Sequence, residues 1–565
     1  MSTESINQSE SDFKIALEDK AGLDRLLDRV SEMFSSILVK ETRQALKSRQ
    51  FLWTFFGLLV VVVLWVYGGL AYTGTDAGRD SLPGPYLLYG FWLILGFPLA
   101  IVIPFSTYRS LAQEYEDGSL QMVSITTLKP YQIIWGKLGS SMLQILVYVS
   151  VLAPCIAFTY LLRGIDIIQI WWGLVIASAT SVALCVLSLF LASTAKSRHF
   201  GTFLTFVLLV GLAITYWLWG VFSYALTYES LSVLGMRDGQ SEVMLGGYIS
   251  FLGSTAFILF AAASAHVTFE ADNRSTWIRI ALFTQQVIFF GWIAGFMTTQ
   301  FHKDMGYVFA CVICHYWMVM GAMMCSVPAI MSRRVKRALP NTFLTRSAFS
   351  LFMPGPGRGY LFAVANMFGW CGLLFVLMLV ADYVLPAVSS GDRNLSGRDI
   401  ESMVLGFVTN LIYGIAFLSI LFLTLDWSFK RRINAGPIFG GALAVFLLVA
   451  SVGLPFLIHY QLFPLVRNEY MLIHTSNWYV TMGEIARYPN GVDSRAYVAL
   501  MIMSGVLVVL GYLALRVACR ELHFLPESIP NRVLEEDRLK RAERSQPKGE
   551  TIDELLGFDQ PDSQS

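Results

Sequence analysis

Residues 50–75 read QFLWTFFGLLVVVVLWVYGGLAYTGT, and none of them is aspartate, glutamate, lysine or arginine. A helix needs about 20 apolar residues to cross a bilayer, so this stretch by itself predicts a membrane span. Eleven further stretches of at least 20 residues lack the same four residue types: 81–108, 138–162, 167–195, 199–228, 243–269, 280–302, 305–332, 359–381, 402–425, 433–466 and 496–515. The sequence therefore predicts an all-α integral membrane protein with about twelve transmembrane helices.

The composition excludes the several soluble domains that a length of 565 residues would otherwise suggest. Charged residues make up 14% of the chain, against roughly 25% in ordinary soluble domains. The 41 Lys and Arg residues nearly balance the 40 Asp and Glu residues, so the chain lacks the positive charge that nucleic-acid binding requires. None of the seven cysteines falls in a predicted outer loop, so no disulfide framework is expected.

The distribution of positive charge predicts the orientation of the chain in the membrane. If the N-terminus lies inside, the short inner loops carry 16 Lys and Arg residues and the outer loops carry 9. Each of the two tails carries 8 more. Because cytoplasmic loops are enriched in Lys and Arg, we expect both termini to lie in the cytoplasm.

The two ends of the chain differ from the spans. Residues 1–22 are polar and predict a disordered cytoplasmic tail, and residues 520–565 predict a second, charged cytoplasmic tail. Residues 23–50 place apolar side chains at helical spacing and charged ones between them, and the apolar face includes Leu26, Leu27, Val30 and Phe34. This pattern favours an amphipathic helix at the inner membrane surface; a helix packed on a soluble partner is the alternative.

The spacing of the long loops suggests an internal repeat. A long inner loop follows the second and the eighth span, and a long outer loop precedes the sixth and the twelfth. Six spans form an even number, so two successive six-span units would point the same way. We therefore predict two parallel six-helix repeats, residues 51–269 and 270–519.

The inner loop at 109–137 reads RSLAQEYEDGSLQMVSITTLKPYQIIWGK and carries the functional signal. Glu114 and Glu116 follow the predicted end of span two, and Gly118 should end that helix. Ser119 is placed to cap a short helix that contains Leu120, and Pro130 is placed to start the next helix. Two helices separated by a break, with acidic residues at the end of the first, form a surface that suits the docking of a soluble partner. An ordinary solvated loop is the alternative.

The loop resembles the signature of ABC-2-type transporter permeases. The matching residues are Glu114-x-Glu116-x-Gly118-Ser119-Leu120-Gln121, then Thr126-Thr127-Leu128-Lys129-Pro130, then Gly136-Lys137. The segment from Lys40 to Leu52 is similar to the start of span one in that family, and the resemblance covers about residues 23–270. The chain departs from the family pattern in Ser119 for Thr, in Gln121 for Glu, and in the later position of Pro130.

The resemblance implies a membrane subunit of an ATP-driven exporter in a bacterial inner membrane. A separate cytoplasmic ABC ATPase would hydrolyse ATP, and Glu114, Glu116, Gly118, Ser119, Leu120, Gly136 and Lys137 would belong to the loop that couples to it. The chain contains no Gly-x-x-x-x-Gly-Lys-Ser/Thr motif, because Leu138 follows Gly136-Lys137. We therefore expect no enzyme and no cofactor in this chain, with ATP on a partner subunit. Two units in one chain complete a pathway, or the chain pairs with a second permease.

An ion-coupled secondary transporter is the main rival, because such proteins place ionisable residues within their spans. Asp382 near the outer end of span nine is the nearest candidate, although an outer-rim position reaching water fits it better. Gln285, Asn366 and Asn410 lie within predicted spans. They are candidates for a substrate pathway, and hydrogen bonding between helices is their more usual role.

A membrane-embedded enzyme or haem protein is a weaker alternative. Cys311-x-x-Cys314-His315 matches the attachment pattern of c-type haem, but the motif lies inside predicted span eight, where a packed histidine is expected. The sequence predicts no metal site. Pro98 and Pro104 predict a break in span two. The aromatic-rich segment 460–495 predicts short helices along the outer membrane surface, either capping an exit path or forming an aromatic belt.

Overall fold

A computed structural model describes most of the chain between residue 36 and residue 538. The residues that it describes are 36–73, 83–118, 129–162, 165, 167–195, 198–228, 240–269, 272–299, 303–328, 343–384, 397–430, 436–462, 470–486, 494–522 and 535–538. These ranges contain helices and no β-strand. The predicted tail 1–22, residues 523–534 and 539–565 of the predicted tail 520–565, and residues 23–35 with Leu26, Leu27, Val30 and Phe34 lie outside the described residues.

Twelve helices in the described ranges are long and apolar enough to cross a membrane. This confirms the all-α membrane class and the predicted number of spans. In order, the spans are Arg49–Thr73, Pro83–Glu116, Pro130–Leu161, Ile167–Thr194, Arg198–Tyr228, Gln240–Val267, Thr276–Thr299, Lys303–Cys325, Pro356–Val384, Gly397–Lys430, Pro437–Leu462 and Ser494–Leu522. Shorter helices are Ser36–Leu46, Phe343–Ser350, Trp478–Ala486 and 535–538, and a 3₁₀ turn covers Leu472–Ser476.

Two spans contain a π-helical turn. In span two it covers Pro98–Val102 and lies between the α-helical segments Pro83–Phe97 and Ile103–Glu116. In span twelve it covers Leu507–Gly511. The predicted break at Pro98 is thus a wider helical turn within a continuous span, because the Ser181 hydroxyl of span four donates to the Leu99 carbonyl at 2.7 Å.

The buried apolar side chains form two separate cores. The first runs from Leu58 to Ala263 and includes Trp92, and the second runs from Leu282 to Ala518. The cores therefore divide the chain between span six and span seven, which pack against each other. Each core is large enough to hold its own six helices together through close packing of side chains.

The two halves share the same pattern of neighbouring helices. Span two packs against spans three, four and five, and span eight packs against spans nine, ten and eleven. Span six packs against spans three and four, and span twelve packs against spans nine and ten. The first helix of each half differs, because span one packs on span two whereas span seven packs on span nine.

The predicted outer segment 460–495 is described over residues 470–486, and some of its aromatic side chains are buried. The short helices are present, but Trp478 is fully buried between spans eight and ten. Its indole stacks on the His315 ring at 4.1 Å between centroids, and its Nε1 donates to Asn410 Oδ1 at 2.9 Å. Burial of the indole with its N–H satisfied outweighs an interfacial position, so the segment closes one end of the second half.

Candidate functional site

The end of span two has the geometry that the sequence predicts. The helix ends at Glu116, and Gly118 has a φ of +66°, which glycine adopts without steric cost. The backbone N–H of Asp117 donates to the Gln113 carbonyl at 2.9 Å, and that of Gly118 donates to the Tyr115 carbonyl at 3.3 Å. The prediction that Gly118 ends this helix is confirmed. Ser119 and Leu120 lie outside the described residues.

Span three begins where the sequence places it. Lys129 is extended, with φ −79° and ψ 143°, and Pro130 occupies the first helical position, where its missing N–H costs nothing. The backbone N–H of Lys129 donates to Gln132 Oε1 at 2.9 Å and closes the first turn. The two helix ends that flank residues 119–128 are therefore both fixed by local hydrogen bonds.

A buried ionic network joins the two ends of this loop. Lys137 is 1% exposed, and its Nζ donates to Glu41 Oε1 at 3.2 Å, to Glu114 Oε1 at 2.9 Å and to Ser110 Oγ at 2.8 Å. Ser110 in turn donates its hydroxyl to Glu41 Oε2 at 3.2 Å. All three ammonium protons thus have acceptors, which a buried lysine requires.

The network brings together Glu114 and Lys137, which the sequence assigns to the coupling loop, and adds Glu41. Sequence reasoning gave Glu41 no role beyond its place in the family-like segment 40–52. Glu116 points to the surface, and Gly136 is buried beside the network. Glu41 lies on the helix Ser36–Leu46, which packs on span three, with Leu38 against Gly139.

The helix Ser36–Leu46 is separate from span one. Residues 47 and 48 form a break, where the Ser48 hydroxyl donates to the Ala45 carbonyl at 2.8 Å and accepts the Phe51 N–H at 3.1 Å. Ser48 therefore ends one helix and caps the next. The network joins this helix to spans two and three.

A polar cavity of about 200 Å³ lies beside the network, between the helix Ser36–Leu46 and spans one, two and three. Glu41, Lys137 and the buried amide of Gln144 face it, with Arg109 exposed at its rim. Thr107 and Ser141 bond each other there at 2.6 Å between their hydroxyl oxygens. The cavity therefore combines these polar groups with apolar parts of its wall, at the end of the bundle that the charge pattern places in the cytoplasm.

A second buried cluster occupies the same end of the other half. Arg279 and Arg358 are each 1% exposed. Arg358 donates to the Pro354 and Glu521 carbonyls at 3.1 Å, and Arg279 donates to the Leu351 carbonyl. The cluster ties the starts of spans seven and nine to the end of span twelve.

Three of the cations that the charge count places in inner loops are buried at helix ends. Lys137, Arg279 and Arg358 each immediately precede a charge-free stretch and are among the 16 basic residues of the predicted inner loops. Each is buried because its helix continues beyond the charge-free stretch and packs against a neighbouring helix end. The local sequence does not distinguish them, because Arg495 also directly precedes a charge-free stretch and is exposed.

The three candidate pathway residues have hydrogen-bond partners within the bundle and no common partner. Gln285 donates to Thr255 Oγ1 at 3.1 Å and accepts from the Tyr316 hydroxyl at 2.8 Å, which links spans six, seven and eight. Asn366 accepts from Trp370 Nε1 at 3.1 Å within span nine. Asn410 accepts from Trp478 as described above. These contacts favour helix packing as their role.

The Cys311–His315 motif is also packed. His315 Nδ1 lies 2.7 Å from the Cys311 carbonyl oxygen, and its Nε2 lies 2.9 Å from the Tyr479 hydroxyl. Both ring nitrogens therefore have protein partners. Cys314 Sγ lies 3.6 Å from Cys371 Sγ of span nine. Asp382 is in the last turn of the helix of span nine.

Across the described ranges, no three or more His, Cys, Asp or Glu side chains are placed to hold one metal ion. No protein-family model, curated protein or solved structure matches the chain. The chain is a multi-span helical membrane protein with a buried ionic network and a polar cavity at one end of its first half.

Proposed function

We propose that the chain is the membrane subunit of an ABC-2-type exporter, driven by a separate cytoplasmic ABC ATPase. The observation that carries this proposal is the rigid frame around residues 119–128. Both flanking helices have defined ends, and the buried Lys137 network joins them to the helix Ser36–Leu46. A displacement of the loop by a docked ATPase would therefore move spans two and three and the helix Ser36–Leu46 together.

The same proposal includes the orientation of the chain in the membrane and its division into two six-span repeats. Both termini lie in the cytoplasm of a bacterium, and the chain crosses the inner membrane. The shared neighbour pattern of the halves and their separate cores support two parallel six-span units. Two such units supply the two sides of a transport pathway from one chain, so a second permease chain is not required.

The docking assignment is tested by charge reversal at Glu116, which is exposed next to Asp117 at the tip of span two. Glu116→Arg should abolish co-purification of the ABC ATPase, because it removes an acidic contact from the docking tip. The readout is mass spectrometry of the proteins that co-purify with the chain from membranes of the native host. Gly118→Pro should have the same effect, because proline cannot adopt the φ of +66°.

Glu535→Arg is the matched control. Glu535 is exposed in the short helix 535–538, on the predicted cytoplasmic side but outside the loop. Its replacement by arginine changes the charge by the same amount as Glu116→Arg. It should leave ATPase capture unchanged. Full ATPase capture by both loop variants would overturn the docking assignment, and no ATPase with the wild type would favour the ion-coupled rival. Loss of transport in Asp382→Asn would then support that rival.

A further inference from the structure

The polar cavity beside the Lys137 network has the composition of a binding site. It is bounded by the helix Ser36–Leu46 and by spans one, two and three, and its volume of about 200 Å³ has room for about six water molecules. We infer that it binds a phosphoethanolamine-type headgroup, that is, a phosphate anion joined to a primary ammonium. This inference is independent of the proposed exporter function.

The cavity wall contains the amide of a largely buried residue, Gln144. Gln144 is 7% exposed, and its side chain makes no hydrogen bond to the residues that the structure describes. Neighbouring polar groups are already paired, with Thr107 on Ser141 and Tyr148 on Thr54 at 2.7 Å. The Gln144 side chain lines the cavity, so its amide oxygen and nitrogen are available to a ligand.

The free hydrogen-bonding capacity of the cavity-lining residues favours a ligand that donates hydrogen bonds. Lys137 uses its three donors on Glu41, Glu114 and Ser110, so it has none left for a ligand anion. Glu41 is the carboxylate among the cavity-lining residues, and each of its oxygens accepts a single hydrogen bond from the network. Each carboxylate oxygen accepts about two, so Glu41 retains capacity for an ammonium donor.

The rim of the cavity favours an anion. Arg109 lines the cavity, is exposed, and has no partner among the described residues. The exposed amides of Gln44 and Gln113 lie on the same rim. A guanidinium with neighbouring amide donors is well suited to a phosphate. The cavity thus presents a cation site at depth and an anion site at its mouth.

The position of the cavity suggests how the headgroup arrives. Phe51 at the start of span one and Val102 of span two form apolar parts of the wall, at the end of the bundle that the charge pattern places in the cytoplasm. A primary ammonium fits because Glu41 and Gln144 offer hydrogen-bond acceptors, which a quaternary ammonium cannot use. The headgroup belongs either to a membrane phospholipid or to a water-soluble phosphodiester with the same chemistry.

The test is native mass spectrometry of the full chain, delipidated in detergent and titrated with phosphatidylethanolamine, phosphatidylcholine or phosphatidylglycerol. Phosphatidylethanolamine should bind about tenfold more tightly than the other two. Arg109→Gln and Gln144→Leu should each weaken that binding about tenfold. Displacement by soluble glycerophosphoethanolamine supports a free headgroup as the ligand, and binding of the diacyl form alone supports the inner-leaflet lipid.

Arg43→Gln is the matched control, because Arg43 is exposed on the helix Ser36–Leu46 but does not line this cavity. It should bind phosphatidylethanolamine as the wild type does. Because Arg109 is at the surface, its variant should fold normally even if Gln144→Leu does not. Equal affinity for the three lipids, or unchanged binding in Arg109→Gln, would overturn the inference.

Discussion

At the scale of single residues, Lys137 compensates two carboxylates inside the first half. Lys137→Met leaves Glu41 and Glu114 close together without their cation, and uncompensated buried charge costs about 3–5 kcal/mol. Because Glu114 is partly exposed, we expect a loss of unfolding free energy at the lower end of this range, about 3 kcal/mol. The measurement is reversible denaturation in detergent. Adding Glu41→Gln should recover part of the loss.

Lys129→Met is the control for this prediction. Lys129 is exposed just before span three, and its replacement should change stability by less than about 0.5 kcal/mol. Equal effects of the two lysine substitutions would contradict the buried-network account.

The pair His459 and His474 makes the outer segment sensitive to pH. His459 Nδ1 lies 2.7 Å from His474 Nε2, and burial, together with the charge of His459, lowers the pKa of His474. The neutral form is therefore favoured in the folded state, so this stabilisation is present above the ordinary histidine pKa of about 6.5 and is lost as the pH falls below it.

We expect the thermal unfolding midpoint of the wild type to fall between pH 7.5 and pH 5, and to fall less in His474→Gln. The exposed His199 of span five provides the control, because His199→Gln should retain the wild-type pH dependence. The same pH dependence in His474→Gln as in the wild type would rule out this histidine as its source.

At the scale of helices, spans eight and eleven approach closely at Gly440. A Cβ at this position would lie 2.5 Å from the Ala322 carbonyl oxygen and also meet the Ser326 hydroxyl. Gly440→Ala should therefore destabilise the protein by about 1–3 kcal/mol through overpacking. The readout is the unfolding free energy in detergent.

Gly453→Ala on the same helix should have the opposite effect and raise the unfolding free energy. A Cβ there has no atom within 4 Å, and alanine is favoured over glycine in a helix by about 0.5–1 kcal/mol. Destabilisation of similar size at both glycines would show that the helix backbone, and not the contact between spans eight and eleven, sets the effect.

At the scale of the whole molecule, the chain consists of two six-helix bundles with separate cores that meet at spans six and seven. Buried cations secure the predicted cytoplasmic end of each bundle, and the buried Trp478 closes the opposite end of the second. The first bundle keeps a polar cavity at its cytoplasmic end. The bundles thus share a helix arrangement but differ in the polar groups that line their ends.

The sequence by itself determined the membrane class, the twelve spans, and the helix ends at Gly118 and Pro130. Each of these depends on local properties, namely the transfer of an uninterrupted apolar stretch into lipid and the backbone preferences of glycine and proline. Only the tertiary structure decided that Lys137 pairs with Glu41, 96 residues away, and that Trp478 is buried on His315. Those contacts depend on which helices pack together, and a charge before a span has the same local sequence whether it faces water or a neighbouring helix.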